Sequence, residues 1–216
     1  MNRRLIILGA SGHGKVAADI AMHRGYDEIL FLDDNPEVEE CLGWPVVGRI
    51  SEADAYQGDF FVAIGNPKLR ESLQNRLEGE GKPIVSLIHP AAVIGCDAVI
   101  GAGTVIMAGA VINPCAVIGR GCIINTCASV DHDCVIGDYV HVSVGAHVSG
   151  TVTIGARTWI GVGAAVKNNL TIAADCMIGA GAVVVKDIKE TGTYIGVPAR
   201  KAAEPAARRS MDCENE

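Results

Sequence analysis

Residues 94–118 read IGCDAVIGAGTVIMAGAVINPCAVI, and an isoleucine falls on every sixth position: Ile94, Ile100, Ile106, Ile112 and Ile118. The register extends both ways without insertion, back to Ile88 and on through Ile124, Val130, Ile136, Val142, Val148, Ile154, Ile160, Val166, Ile172, Ile178 and Val184. Four places after the early members sits a small residue: Ala92, Ala98, Thr104, Ala110, Ala116, Cys122, Ala128 and Cys134. A period of six is neither the 2 of a plain strand nor the 3.6 of a helix. It is one short strand plus a turn, the hexapeptide signature of a parallel β-helix. Three such units close a three-sided coil of about 18 residues, so residue i stacks on residue i+18. The recurring aliphatic fills the axis, and the small residue fits where the prism narrows. β-branched side chains suit such stacking because they are stiff and pack well on a pleated surface.

Outward from this stretch the grammar changes. Residues 88–188 hold ten Asp, Glu, Lys or Arg, and the other 115 residues hold 33. The reading is therefore an α/β domain over 1–85, a β-helix over 86–200 and a C-terminal tail over 201–216. The prism's outer faces carry so little charge that neighbours are expected to cover them, in a closed cyclic oligomer, a trimer. A net charge of −7 argues against nucleic-acid binding, which needs a basic face. No apolar run approaches the roughly 18 residues of a membrane span, and Leu5-Ile6-Ile7-Leu8 is too short for a signal-peptide core. The eight cysteines contain no C-x-x-C pair. They read as reduced thiols of a cytoplasmic protein.

The first 87 residues read as β-α-β-α-β with Rossmann-like order. Strands are expected at Arg4–Gly9, Glu28–Leu32 and Phe60–Ile64, helices at Lys15–Arg24 and Pro67–Gly81, and a short strand at Ile84–Leu87 leading into the prism. The turn Gly9-Ala10-Ser11-Gly12-His13-Gly14 follows the first strand, where backbone amides and a helix N-terminus can cradle phosphate. Its spacing is G-x-x-G-x-G, not the dinucleotide G-x-G-x-x-G. Asp33 lies 19 residues beyond Gly14, where a ribose-binding acid often sits. About 80 residues make one mononucleotide half, so a nucleotide diphosphate fits better than a dinucleotide.

Three histidines lie in the prism. His141 and His147 are six apart and belong to successive faces, so they cannot chelate one ion; no metal is expected. Taken alone they read as surface or interface residues. His132 sits in Asp131-His132-Asp133-Cys134, between two acids that can raise its basicity and fix its tautomer. Neighbours on a strand point to opposite faces, so an acid reaches the ring only if the chain turns a corner there. Which acid does so, Asp131 or Asp133, stays open. Cys122 and Cys134 hold the small inward position, where buried thiols are inert.

Several segments together resemble a known family. They are Gly9-Ala10-Ser11-Gly12-His13-Gly14-Lys15, Phe31-Leu32-Asp33-Asp34, Ala63-Ile64-Gly65-Asn66, the run from Asn125 through Asp131-His132-Asp133-Cys134 to Ala146, and Gly196-Val197-Pro198-Ala199-Arg200. Over about residues 3–201 the chain resembles bacterial sugar O-acyltransferases of the sialic-acid acetyltransferase type. Within them it is most similar to UDP-4-amino-sugar N-acetyltransferases of the bacillosamine pathway. The resemblance implies a left-handed prism and a homotrimer with sites between neighbouring prisms. It also implies direct transfer of acetyl from acetyl-CoA to the 4-amino group of a UDP-linked amino-deoxy sugar. By position, His132 resembles the general base and Asp133 its supporting acid, where close relatives carry Glu. Asn125 resembles the acceptor contact; Ser11, Gly12, His13, Asp33, Asp34 and Gly65 match the nucleotide-sugar site. His141, Val162 and Ala180 fall where the family contacts acetyl-CoA, Ala180 replacing a glycine. Acetylation of a hydroxyl or of another amino sugar such as perosamine is the rival enzyme reading. A non-catalytic binding prism is the rival of another class.

Overall fold

The computed structural model describes residues 3–203; of the tail expected over 201–216, everything from 204 onward lies outside the described residues. The N-terminal part is a five-stranded sheet of order β3-β4-β2-β1-β5, with β1 at Arg4–Leu8, β2 at Glu28–Leu32, β3 at Glu40–Cys41, β4 at Trp44–Gly48 and β5 at Asp59–Val62. β4, β2, β1 and β5 run parallel, and β3 pairs antiparallel at the edge. Leu5, Ile6, Ile7 and Leu8 are all fully buried, as a central parallel strand requires when both its faces are covered. Helix α1 covers Gly12–His23 and α2 covers Pro67–Gly79. Pro67 opens α2, where its missing amide costs nothing, and Asn66 caps it by accepting from the amides of Lys68 and Leu69.

The structure departs from the sequence reading here in more than element ends, and an unread 3-10 helix spans Ile50–Ala55. α1 begins at Gly12, not Lys15, so the glycine turn itself supplies the first helical turn. The β3–β4 hairpin went unread; Leu42 and Gly43 turn it with φ of 53° and 76°. A Gly after Leu42 between Cys41 and Trp44 was the available signal for such a two-residue turn. Ile84–Leu87 is not a strand. Ile84 makes one bridge to Phe60, and regular pairing resumes at Leu87–Ile88.

From Leu87 the chain winds as a left-handed parallel β-helix. Its first face stacks Leu87–Ile88, Val105–Ile106, Ile123–Ile124, His141–Val142, Trp159–Ile160 and Cys176–Ile178. The second stacks Val93–Ile94, Val111–Ile112, Ser129–Val130, His147–Val148, Ala165–Val166 and Val183–Val184, and the third Val99–Ile100, Val117–Ile118, Val135–Ile136, Thr153–Ile154 and Thr171–Ile172. Partners such as Ile106↔Ile124 and Ile124↔Val142 are the expected i and i+18. The axial aliphatics from Ile106 to Val184 and the small residues Ala110, Ala116, Cys122, Ala128 and Cys134 form one buried cluster. The first coil is looser: Ile94 is 37% exposed, because no coil lies beneath it.

The N-terminal domain is fused to the first face as a cap. Leu87, Val105, Met107 and Ile123 of the prism share one core with Ala17, Ile20 and Ala21 of α1. α2 adds polar ties: Arg120 donates to Glu78 at 2.6 Å and Asn75 at 2.8 Å, and Gln74 donates to the Ala102 carbonyl. Cap coverage of the first face stops short of its last coils, leaving Trp159 half-buried and Met177 exposed.

Candidate active site

The corner between the second and third faces presents His132. The next residue, Asp133, has φ of 58°, a left-handed conformation that Asp tolerates better than most. This bend brings the two side chains together: His132 Nδ1 lies 2.7 Å from Asp133 Oδ2. An ionised carboxylate only accepts, so Nδ1 carries the proton and Nε2 keeps its lone pair. Asp131 does not touch the ring. Its Oδ1 accepts the His132 amide at 2.8 Å and Asn113 Nδ2 at 2.7 Å, which hold its carboxyl below the usual range. The hydrogen bond His132 donates to Asp133, with the charge of Asp131 behind it, raises the His132 pKa. The ring is half exposed and lies over the next coil at Gly150, where a Cβ would come within 2.6 Å of Nε2. Gly150 is thus the seat of the imidazole, a role visible only once residue 132 is stacked on residue 150.

A second constellation lies on the first face beneath the cap. Gly12, His13, Val16 and Gly65 of the cap meet Met107, Ile123, Asn125 and His141 of the prism around a cavity of about 210 Å³. Asn125 Oδ1 accepts the Thr126 amide at 2.8 Å, so its NH₂ faces His141 Nε2 at 3.1 Å. His141 Nε2 therefore accepts, and the proton sits on Nδ1, which is buried and, among the described residues, has no partner, as is the case for His13 Nε2. Burial, with the Arg70 charge as a second cause, lowers His13 to about 4 and His141 to about 3. Both rings are neutral donors or acceptors across the physiological range. His141, which taken alone reads as a surface or interface residue, lies where cap meets prism; it is half-buried and also packs on Trp159 at 4.6 Å between centroids. His147 is exposed on the second face and bonds Ser129. Among the described residues one trio of metal-capable groups occurs, Asp19, His23 and His89. It lies outside both constellations, and His89 Nδ1 already accepts the Ala91 amide.

The glycine turn leads into the cavity. Gly9 has φ of 105°, and a Cβ on Gly14 would run into the Gly9 carbonyl. Asp33 holds the turn, its carboxylate accepting the amides of Ala10 at 2.7 Å and Asn35 at 2.9 Å, and Asp34 accepts the Ile50 amide. Ser11 and Gly12 are exposed at the start of α1. Beyond Gly65 a larger cavity of about 560 Å³ opens over Trp159, Cys176 and Met177. Val162 and Ala180 lie elsewhere, exposed on the corner between the first and second faces. Each is followed by a positive-φ glycine, Gly163 or Gly181, with open space above it.

The structure thus brings His132 to Asp133, and His13 and Gly65 to Asn125 and His141, but it does not bring these two groups together within one chain. In a three-sided coil the His132 corner stands opposite the first face.

Comparison with known proteins finds a match to the PglD N-terminal domain model over residues 4–77. The chain is 40% identical over 114 residues to UDP-N-acetylbacillosamine N-acetyltransferase of Bacillus subtilis (strain 168), a match spanning 49% of this chain and 51% of that relative, about half its length. The acetyltransferase domain of PglB from Neisseria gonorrhoeae FA1090, solved free and with acetyl coenzyme A, is 40% identical. The free form covers 93% of this chain and 100% of that one at a TM-score of 0.89. PerB from Caulobacter crescentus, solved with CoA and GDP-perosamine, is 37% identical over 92% and 97% of the two chains, with a TM-score of 0.87.

Proposed function

We infer function from one premise: this chain belongs to the hexapeptide-repeat family that includes the PglB acetyltransferase domain and PerB. The proposed reaction is acetyl transfer from acetyl-CoA to the 4-amino group of a UDP-linked amino-deoxy sugar. The observation that carries it is the exposed His132–Asp133 dyad: a free Nε2 lone pair, made more basic by a carboxylate, on a corner open to substrate. The base takes a proton from the amine as nitrogen attacks the thioester carbonyl; the tetrahedral intermediate then collapses and expels coenzyme A thiolate. Such a base supplies about 10²- to 10⁴-fold, and holding both substrates in place supplies much of the rest.

Substrate positions follow from the two constellations. The nucleotide enters at Ser11, Gly12, His13, Asp33, Asp34 and Gly65, with its sugar toward Asn125. The acetyl-CoA arm runs along the bare corner at Val162 and Ala180 and reaches His141. Since one chain keeps His132 opposite its own cavity, the reaction requires the dyad of a neighbouring copy, and a threefold ring supplies one dyad per cavity. The exposed ladder Val99, Val117 and Val135 on the third face is the kind of neutral surface such a ring would cover. Among the described residues no helix is long and apolar enough to cross a membrane, and seven cysteines are free thiols, in keeping with a cytoplasmic setting.

The deciding experiment is thiol release from acetyl-CoA with a panel of acceptors: UDP- and GDP-linked 4-amino sugars, and hydroxyl sugars. Turnover is expected with UDP-4-amino sugars. A preference for the GDP-linked amine, the ligand class named for PerB, would move the substrate to that class. No release with any acceptor would sink the enzymatic reading.

A further inference from the structure

Arg70 of α2 is a buried cation for which the proposed mechanism has no use. It is 1% exposed, and among the described residues no carboxylate pairs with it. Its guanidinium instead donates to four carbonyls. Two belong to the loop after β5, Ile64 at 2.7 Å and Gly65 at 2.9 Å; two belong to successive coils of the prism, Gly121 at 2.7 Å and Tyr139 at 2.8 Å. Burial lowers its pKa, but only to about 10, so the charge persists at neutral pH. An apolar side chain of similar size would join cap to prism without desolvating a charge. What the guanidinium adds is direction, through a planar fork of donors that aims several carbonyls at one point.

That direction has a consequence on the other side of the loop. In a trans peptide the C=O and N–H point opposite ways. With the Ile64 and Gly65 carbonyls turned toward Arg70, the amides of Gly65 and Asn66 are turned away from it. Neither amide has a hydrogen-bond partner among the described residues. Gly65 borders both the His13–Asn125–His141 cavity and the larger one beside it, and Asn66 borders the larger. His13 Nε2, buried and without a partner among the described residues, lines the same cavity. Two consecutive free amides backed by a cation form a polarised concavity suited to an anion.

We propose that Arg70 is a positioning residue for the acceptor, aiming the Gly65 and Asn66 amides at the diphosphate of the nucleotide sugar and holding them in register with Asn125 and His141. The proposal rests on the nucleotide-sugar reading above. Arg70 touches neither substrate nor reacting atoms; it acts through two peptide groups.

The test compares wild type with Arg70→Lys and Arg70→Gln, with thermal denaturation to confirm folding. UDP and uridine are titrated by calorimetry, and KM is measured for each substrate. Arg70→Gln should weaken UDP about tenfold or more, a charge-assisted contact's worth, and leave uridine within about twofold. Arg70→Lys should fall between, since an ammonium keeps the charge but cannot span four carbonyls. Acceptor KM should rise in step while the acetyl-CoA KM holds. Equal losses for UDP and uridine, or parallel rises in both KM values, would reduce Arg70 to a structural bolt and overturn the proposal. Should wild type prefer guanine nucleotides, GDP and guanosine take the place of UDP and uridine; that outcome corrects the substrate and leaves the comparison intact. Without any ligand, crystals of Arg70→Gln, or of Arg70→Lys if Gln does not fold, are expected to show the Gly65 peptide turned. An unmoved peptide in either overturns the assignment.

Discussion

The prism carries imidazoles in two opposite electrostatic settings. At the corner of the second and third faces, His132 is half exposed, bonded to Asp133 and raised in pKa. On the first face, His141 and the cap's His13 are half-buried, and desolvation, with the Arg70 charge behind it, pushes them down to about 3 and 4. One side chain type is tuned in two directions by position alone. A carboxylate neighbour favours the charged form, and desolvation with a cationic neighbour disfavours it. The first setting makes a proton acceptor. The second makes neutral polar contacts that do not change charge while the acceptor does.

The largest break in this contrast is His132→Ala. It should lower kcat by about 10²- to 10⁴-fold while acetyl-CoA binding, measured by calorimetry, stays as in wild type; undiminished turnover would remove His132 from the chemistry. Next comes Gly150→Ala, whose new methyl would meet the imidazole at 2.6 Å and displace it. A shift of that kind should cost about 10- to 100-fold in kcat, and a crystal structure should show the ring moved off the coil. Asp133→Asn keeps the shape of the pair and weakens its charge. It should cost about tenfold. Because Asp133 is the main cause of the raised His132 pKa, the acid limb of kcat/KM should move to lower pH; a limb that stays put would hand the supporting role to Asp131.

The smallest effects sharpen the buried side. Above about pH 5 the rate profile should report one titrating imidazole, not three. His13 and His141 are lowered in the folded state, so the unfolded chain binds more protons between the folded and unfolded values. Stability linked to them is therefore intact above about pH 6.5 and lost progressively as pH falls through about 4 for His13 and about 3 for His141. Denaturant melts of His141→Gln should show a shallower acid slope than wild type. An equal slope would mean that the ring is solvated.

Much of this molecule could be read directly from its order of residues. The recurrence of Ile or Val at every sixth place named the axial side chains and their stacked neighbours from Ile88 to Val184, because each coil there repeats the same local bend and pairs i to i+18; beyond it the register shifts, Cys176 pairing with Gly192 and Ile178 with Tyr194. The contact between His132 and Asp133 also joins adjacent residues, yet the sequence left Asp131 and Asp133 as alternatives, and the left-handed backbone of Asp133 decides between them. The β3–β4 hairpin was missed because β3 is two residues long, too short for alternation to register. Gly150 was missed for a different reason: its role appears only when residue 132 is laid over it.

The period of the chain, by itself, determined a three-sided stack, its axial core and an acid-flanked histidine at a corner, since these depend on contacts within one coil or between adjoining ones. The folded structure alone decided that His13 and Gly65 face Asn125 and His141, that Arg70 joins Ile64 to Tyr139, and that the two histidine settings lie on opposite sides of the prism. The bonds of Arg70 to the prism alone span 51 positions, to Gly121, and 69, to Tyr139. They form when an apolar helix face docks on an apolar sheet, and no repeat specifies where along the stack that docking ends.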